Sequence, residues 1–303
     1  MILIADSGST KTDWRIISDI GEEKEIHTTG INPQYLNTNQ IYSIISAGIL
    51  PQLHDEVPSE IYYYGAGCSS ADRNGVVEEA LHRAFPASDL HVDHDLLAAA
   101  RALCGNEPGI ACILGTGSNS CQYDGEKIID NIPSLGFLMG DEGSGAYLGK
   151  LLIRAYLYRE LPYTLVQSLK NKYNLSKDVV LDSVYNAEMP GTYLATFARF
   201  LNENRAHPVI HDLIFRNFEL FFRRHLSKYE GFNTLPISFV GSIAFHFSDV
   251  LREVAAKFNT RIGKILQSPC EGLVSYHQQT AAPLKANPAP GNQNAAVSTE
   301  AEI

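Results

Sequence analysis

The chain has few cysteines, little positive charge and no long hydrophobic run. Its five cysteines are an odd number and include no Cys-x-x-Cys pair, which favours reduced thiols over disulfides or a zinc site. The net charge is -10, so the sequence lacks the basic surface by which proteins bind nucleic acids or anionic membranes. The apolar residues 1–5 follow no basic segment, which predicts neither a signal peptide nor a membrane span and favours a cytoplasmic location.

What is present is enough apolar sequence for a large core. With 303 residues and 45% hydrophobic content, the chain predicts two domains of roughly 100–200 residues each. Residues 279–303 differ from the rest, because they are rich in Ala, Pro, Asn and Gln and offer little to bury. This composition predicts a disordered tail.

The most informative stretch lies near the middle of the chain. Residues 110–114 predict a short buried strand, and the turn Gly115, Thr116, Gly117, Ser118 leads into a second strand at 121–123. Glycine lets a ligand approach the main chain, and exposed backbone N–H groups and hydroxyls of such a turn suit phosphate oxygens. The alternative is an ordinary hairpin, because many strand pairs turn on glycine.

The N-terminus repeats this arrangement. An apolar strand at residues 1–5 enters a turn at 6–13 that is rich in glycine and hydroxyl groups, and a strand follows at 14–17. Two such units predict an internal duplication. The economical architecture is two α/β domains that face each other across a cleft, with nucleotide phosphates between the two turns.

Hydrophobic periodicity predicts the remaining elements. Helices are expected at about 40–53, 72–85, 96–103 and 146–159, and helices dominate from 163 to 228. Further strands are expected at 24–29, 61–64, 90–92, 236–240 and 262–267, and a last helix at 269–277 is expected to pack back on the first domain. The aromatic residues Phe218, Phe221 and Phe222 keep helical spacing and are interpreted as core.

Four motifs occur in a fixed order: ADSGSTKTD at 5–13, GTGSN at 115–119, MGDEGSG at 139–145 and FVGSIA at 239–244. In this order and spacing they resemble the superfamily of sugar kinases, Hsp70 and actin, and within it the N-acetylglucosamine kinases and the related BadF/BadG/BcrA/BcrD-type ATPases. The resemblance covers residues 1–277. It implies two ribonuclease-H-like (actin-like ATPase) α/β domains, related by internal duplication, that face each other across a nucleotide cleft.

The expected division follows from the motifs. Residues 1–106, together with the returning helix 269–277, form the first actin-like domain, and residues 107–268 form the second. The tail at 279–303 lies outside both.

The resemblance implies a carboxylate base just before the helix at 96–103, and Asp95 is its best match. The alternative is that Asp95 only caps this helix, because aspartate is a preferred N-cap residue. Asp93 remains the alternative base.

The resemblance also implies MgATP as cofactor. Asp6 would orient Mg²⁺, and Lys11 would hold phosphate oxygens. The full set of implied nucleotide-binding residues is Asp6, Gly8, Ser9, Thr10, Lys11, Gly115, Thr116, Gly241 and Ser242. For Gly241, which matches the adenosine motif of the family, the alternative is close packing between a strand and a helix.

The acceptor implied by the resemblance is an amino sugar, held by Asn32, Gly65, Asn119 and Asp141. Asn32, Asn119 and Asp141 are expected on one wall of the cleft. For Asp141, the alternative is a cap of the following helix. The expected reaction is ATP-dependent phosphorylation of N-acetylglucosamine to its 6-phosphate, with glucosamine or N-acetylmuramic acid as alternative acceptors. A homodimer is left open.

Two other functional classes compete with this interpretation. One is an ATPase activator of a 2-hydroxyacyl-CoA dehydratase or benzoyl-CoA reductase, which needs a cysteine-held Fe–S cluster, and no cysteine spacing here indicates one. The other is a sugar-responsive regulator with a DNA-binding module. The sequence starts directly with the phosphate strand and is acidic, so neither a helix-turn-helix nor nucleic acid as a partner is expected.

Overall fold

The computed structural model describes residues 1–8, 11–54 and 56–281. Ser9 and Thr10, which the sequence assigns to the phosphate site, lie outside the described residues, as does most of the predicted tail. Residues 279–281 belong to the last helix, so the predicted tail begins three residues too early.

The first sheet has five strands. They are β1 (Ile2–Ser7), β2 (Lys11–Ile17), β3 (Glu23–Thr29), β4 (Glu60–Gly65) and β5 (Asp89–His94). Their order is β3-β2-β1-β4-β5. The pairs β1–β2 and β2–β3 are antiparallel, whereas β4 is parallel to both β1 and β5.

The second sheet repeats the first. Its strands are β6 (Gly109–Leu114), β7 (Ser118–Tyr123), β8 (Ile128–Asp130), β9 (Ile237–Val240) and β10 (Ile262–Leu266), and their order is β8-β7-β6-β9-β10. The pairs β6–β7 and β7–β8 are antiparallel, and β9 is parallel to both β6 and β10. The same order and directions in both sheets confirm the predicted duplicated α/β fold.

Three helices accompany the first sheet: α1 (Thr38–Gly48), α2 (Ala71–Ala84) and α3 (Asp95–Cys104). Helix α1 begins with a capping box, in which the Asn37 side chain accepts from the Gln40 N–H and the Gln40 side chain accepts from the Asn37 N–H. The predicted helix at 40–53 is too long at its end. After Gly48 the chain continues as a 3₁₀ turn, Leu50–Gln52, because Pro51 cannot extend an α-helix.

The second half is mostly helical, as predicted. Its helices are α4 (Gly136–Met139), α5 (Gly145–Leu157), α6 (Tyr163–Lys172), α7 (Lys177–Tyr185), α8 (Pro190–Ala195), α9 (Ala198–Glu203), α10 (Pro208–Arg224), α11 (Ser242–His246), α12 (Ser248–Lys257) and α13 (Cys270–Ala281). Phe218, Phe221 and Phe222 of α10 are fully buried, which confirms them as core. Within the described ranges, no helix combines the length and the apolar character that crossing a membrane requires.

One apolar cluster joins the two sheets. It contains Ile4 of β1, Cys121 of β7 and Val240 of β9, together with residues of α3 and α13. The last helix therefore packs against the first sheet, as predicted, and the Tyr64 hydroxyl lies 2.9 Å from Nε2 of His277 on α13. The domain boundaries at 106 and 268 stay a prediction.

Candidate active site

The parallel strands of each sheet end at a common edge. In the first sheet, Ser7 of β1 pairs with Gly65 of β4, and Gly65 pairs with His94 of β5. In the second sheet, Val240 of β9 pairs with Ile113 of β6 and with Leu266 of β10. Side chains that follow these strands are brought together without long loops, since carboxyl ends of parallel strands share one edge of a sheet.

A cleft of about 210 Å³ joins the two edges. Its first side is formed by residues of the N-terminal turn and by the start of α3, and its second side includes Val240 and Gly241. It brings together five site residues that were expected from the sequence: Asp6, Gly8, Lys11, Asp95 and Gly241.

Three carboxylates meet in this cleft. Burial, and then the negative charges of Asp95 and Asp13, raise the pKa of Asp6 to about 7, and Lys11 opposes the shift. Asp13 lies directly opposite Asp6 in the β1–β2 ladder, and its carboxylate accepts from Nζ of Lys11 at 2.8 Å. The repulsion between these carboxylates indicates a site that a cation would stabilise.

Asp13 is a site residue that the sequence interpretation missed, although it stands in the first motif. Ligand atoms of Asp6, Asp13 and Cys270 lie within 4.8 Å of one another. Mg²⁺ prefers carboxylate oxygens to sulfur, and burial raises the pKa of the Cys270 thiol to about 11, so this thiol stays neutral. The two aspartates fit Mg²⁺, and Cys270 does not.

Asp95 is the first residue of α3 but does not cap it. His94 is the N-cap, and its Nδ1 accepts from the Leu97 N–H at 3.2 Å. The capping alternative for Asp95 is therefore wrong. Burial raises the pKa of Asp95, and the side chain lines the cleft.

Asp93 lies elsewhere. It belongs to β5, and its carboxylate accepts from the His94 N–H at 2.8 Å. It lines a separate cavity together with Tyr62 and His277. The geometry thus favours Asp95 over Asp93 as the carboxylate of the cleft.

Gly241 links this cleft to a second cavity. Its φ is +118°, and a Cβ on it would lie 2.4 Å from the carbonyl oxygen of Leu114, so close packing alone already requires glycine at this position. The neighbouring cavity of about 420 Å³ is lined by Gly115, Thr116 and Ser242. The expected nucleotide residues are therefore divided between two cavities that meet at residues 241–242.

The two glycine turns offer fewer free donors than expected. The Gly8 N–H donates to the Lys11 carbonyl at 2.9 Å, and the Gly115 N–H donates to the Gly117 carbonyl at 3.0 Å. The first N–H of α5, from Gly145, donates to the Gly115 carbonyl at 2.8 Å. The expectation of exposed donors is wrong for Gly8 and Gly115, because each turn closes on itself.

Asp141 is held next to the second turn. Its Oδ1 accepts from the Ser118 N–H at 3.4 Å and from the Ser134 hydroxyl at 3.2 Å. The side chain is buried, and burial raises its pKa. The cap of α5 is Ser144, whose hydroxyl accepts from the Tyr147 N–H, so the capping alternative for Asp141 is wrong.

The backbone around Asp141 is strained. Asp141 has a φ of +62° and Gly143 a φ of +88°, and non-glycine residues rarely adopt such values. A Cβ on Gly143 would lie 3.0 Å from Leu114 Cδ2 and 3.0 Å from Phe221 Cγ. Such strain persists only where surrounding contacts enforce it, and it is common at functional sites.

The other expected sugar residues are distributed over both sides. Asn32 follows β3, and its Oδ1 accepts from the Gln34 N–H at 2.9 Å. It packs on Gly67, where an added Cβ would lie 2.2 Å from Asn32 Oδ1. Asn32 thus stands with the first sheet, whereas Asn119 and Asp141 stand with the second. The expectation that all three share one wall is wrong, because Asn32 follows β3 of the first sheet, whereas Asn119 lies in β7 of the second sheet and Asp141 follows α4.

Asn119 and Gly65 have local roles that compete with sugar binding. Asn119 Oδ1 accepts from the Ser120 N–H at 2.9 Å and from Asn131 Nδ2 at 3.1 Å. Gly65 ends β4, and a Cβ on it would lie 2.7 Å from Tyr63 Cε1. For Gly65 the local packing already requires glycine.

Comparisons with solved structures find the same fold in sugar kinases. A candidate N-acetylglucosamine kinase from Porphyromonas gingivalis is 41% identical, with a TM-score of 0.88 over 92% of this chain and 99% of the other. A candidate N-acetylglucosamine kinase from Chromobacterium violaceum is 19% identical, with a TM-score of 0.65 over 91% and 98%. A ROK family glucokinase from Streptomyces griseus, in complex with glucose and AMPPNP, is 16% identical, with a TM-score of 0.60 over 92% and 98%. No family model matches the sequence, and no curated protein matches it either.

Proposed function

The chain belongs to the N-acetylglucosamine kinase family of actin-like sugar kinases, and from this premise we propose that it transfers the γ-phosphoryl group of MgATP to the 6-hydroxyl of N-acetylglucosamine. The observation that carries the proposal is the cleft, in which Asp95 faces the Asp6–Asp13 pair between the two sheets. Phosphoryl transfer depends mainly on positioning and charge neutralisation. A cleft with a cation site and one further carboxylate supplies the groups that this reaction needs.

The two connected cavities would hold the nucleotide. Adenosine would occupy the 420 Å³ cavity, which Asn202 and His246 line in addition to Gly115, Thr116 and Ser242. The phosphates would cross Gly241 into the cleft, where Lys11 would hold them; Ser9 and Thr10 remain proposed phosphate-binding residues. Gly241 has no side chain to block this passage.

Asp6 and Asp13 would hold Mg²⁺, directly or through water. An ion held there would supply positive charge that neutralises the charge developing on the transferred phosphoryl group. Its charge would also favour ionised Asp6, whose pKa is about 7 without it. On this view, the repulsion among the three carboxylates is the feature that selects a divalent cation.

Asp95 would accept the proton of the attacking hydroxyl. A sugar hydroxyl is not ionised at neutral pH, so a carboxylate within hydrogen-bond reach increases the rate. His94 is the N-cap of α3, and the Asp95 carboxylate lines the cleft while it interacts with the first N–H groups of the helix. Asp141 and Asn119 from one side, and Asn32 and Gly65 from the other, would orient the sugar ring when the domains close around it and exclude water.

A coupled assay of ADP release tests the proposal with N-acetylglucosamine, glucosamine, N-acetylmuramic acid and glucose. We expect saturable, sugar-dependent ADP release that is fastest with N-acetylglucosamine, and NMR should locate the phosphate on the 6-oxygen. Equal rates with glucose would refute the acceptor. ADP release independent of every sugar would refute the kinase and favour an ATPase activator.

The proposed cytoplasmic location and the oligomeric state are separate questions. Fractionation of cells and light scattering of the purified protein would answer them.

A further inference from the structure

A buried asparagine on α10 contacts the loop that carries Asp141. Asn217 is fully buried between the apolar residues Ile214, Phe218 and Phe221 of the same helix. Its Oδ1 accepts from the Gly143 N–H at 2.8 Å. Among the described residues, its Nδ2 finds no hydrogen-bond partner. A polar side chain that is only half satisfied is costly in a core, where leucine would fill a similar volume.

The C-terminal end of α10 makes a second contact with the loop. Glu142 is 2% exposed, and its carboxylate accepts from Nη1 of Arg224. His225, which follows α10, has its Nε2 3.5 Å from the other carboxylate oxygen. Two consecutive residues after Asp141 are thus attached to one helix.

These contacts act where the backbone is strained. Asp141 has a φ of +62°, which costs energy for a residue with a side chain and persists only where contacts enforce it, whereas Gly143 adopts its φ of +88° freely. Asp141 is anchored on Oδ1 by Ser118 and Ser134, and a Cβ on Gly117 would lie 3.3 Å from its Oδ2. The orientation of this carboxylate therefore depends on a backbone that α10 holds in place.

We propose that Asn217 is a positioning residue for the acceptor sugar, which acts by fixing the Gly143 N–H and through it the Asp141 carboxylate. This rests on the proposed role of Asp141 in sugar binding. Asn217 touches neither reactant. Its loss should therefore affect the sugar more than the nucleotide. Gly241 lies outside this loop, and the Gly115 turn, although its carbonyl accepts from the Gly145 N–H at 2.8 Å, also closes on itself through the bond from the Gly115 N–H to the Gly117 carbonyl.

The test is a set of three variants, measured by steady-state kinetics with both substrates and by thermal melting. Asn217→Leu removes the acceptor at nearly constant volume, Asn217→Asp keeps an oxygen for the Gly143 N–H, and Phe218→Leu removes core volume at the next position. For Asn217→Leu we expect a KM for the sugar that is about tenfold higher, because one buried hydrogen bond is lost. The KM for ATP and the Tm should change little. Asn217→Asp should recover part of the sugar affinity, and Phe218→Leu should lower the Tm without a selective change in either KM.

The outcomes separate this inference from the proposed function. If the unmodified protein shows no sugar-dependent ADP release, the proposed function itself has failed. If it does, and Asn217→Leu keeps the normal KM for the sugar, the inference is overturned. The inference is also overturned if Asn217→Leu changes both KM values and the Tm together, because that pattern indicates a purely structural role.

Discussion

Replacing Asp6 with asparagine should make the protein more stable at pH 8 in the absence of Mg²⁺. The pKa of Asp6 rises from an ordinary 3.8 to about 7 in the folded state, chiefly through burial and then through Asp95 and Asp13. The folded protein therefore binds this proton more tightly than the unfolded chain does. The resulting penalty is absent below pH 3.8, grows as the pH rises and is complete above about pH 7.

The magnitude follows from the same two values. Each pKa unit corresponds to about 1.36 kcal/mol, so ionised Asp6 costs on the order of 4 kcal/mol of unfolding free energy at pH 8 and less than about 1 kcal/mol near pH 4. For a chain of 303 residues, the larger value corresponds to a Tm difference of about 6 °C. The Asp6→Asn variant should therefore have a higher Tm than the unmodified protein by this difference at pH 8, and most of the difference should be absent at pH 4.

Thermal melting at both pH values measures the effect, and Asp130→Asn on exposed β8 is the matched control. Mg²⁺ with a non-hydrolysable nucleotide should raise the Tm of the unmodified protein and have little effect on Asp6→Asn. A Tm difference that is equal at pH 4 and pH 8, or an Asp6→Asn variant less stable at pH 8, would refute the electrostatic argument.

Three other substitutions address the remaining parts of the site. Asp95→Asn should lower kcat by about 10²–10⁴-fold while ATP binding, measured by calorimetry, is retained. Asp93→Asn should have a nearly normal kcat. A larger loss of kcat in Asp93→Asn than in Asp95→Asn would favour Asp93 as the base. Asp141→Ala should lower kcat/KM for the sugar by more than about tenfold, since it leaves sugar hydroxyls unpaired; an equal loss of ATP affinity would contradict its assignment. Gly241→Ala would place a methyl group 2.4 Å from the Leu114 carbonyl at a φ of +118°. We therefore expect a loss of about 1–3 kcal/mol in stability and a higher KM for ATP. A normal melting temperature would refute the close packing.

The duplicated fold could be predicted because local sequence specifies it twice. In both halves an apolar strand enters a glycine turn and returns as a second strand, and these are nearest neighbours in the sheet. The start of a helix was harder to predict where an uncommon residue type caps it. Histidine is not among the preferred N-cap residues, so the only cap considered from the sequence was Asp95, as the alternative to its role as base, whereas His94 caps α3.

The missed residues depend on contacts that sequence patterns do not contain. Asp13 is set opposite Asp6 by the register of β1 and β2, and the polar pattern of the turn hides where each strand begins. Asn217 meets Gly143 across 74 positions of sequence. A lone asparagine in an apolar helical stripe was the available signal, and only the fold identifies its partner.

Helix α13 has a consequence for synthesis of the protein on the ribosome. Leu273 and Val274 cover Ile4 and Ile17 of the first sheet, and Gly272 lies so close to α3 that an added Cβ would be 2.5 Å from the Ala102 carbonyl. The strands of the first sheet are complete at His94, but their cover is made about 180 residues later, roughly 10–35 s at ordinary rates of translation. During that interval the nascent chain exposes an apolar surface, so we expect it to be a chaperone substrate until α13 leaves the exit tunnel.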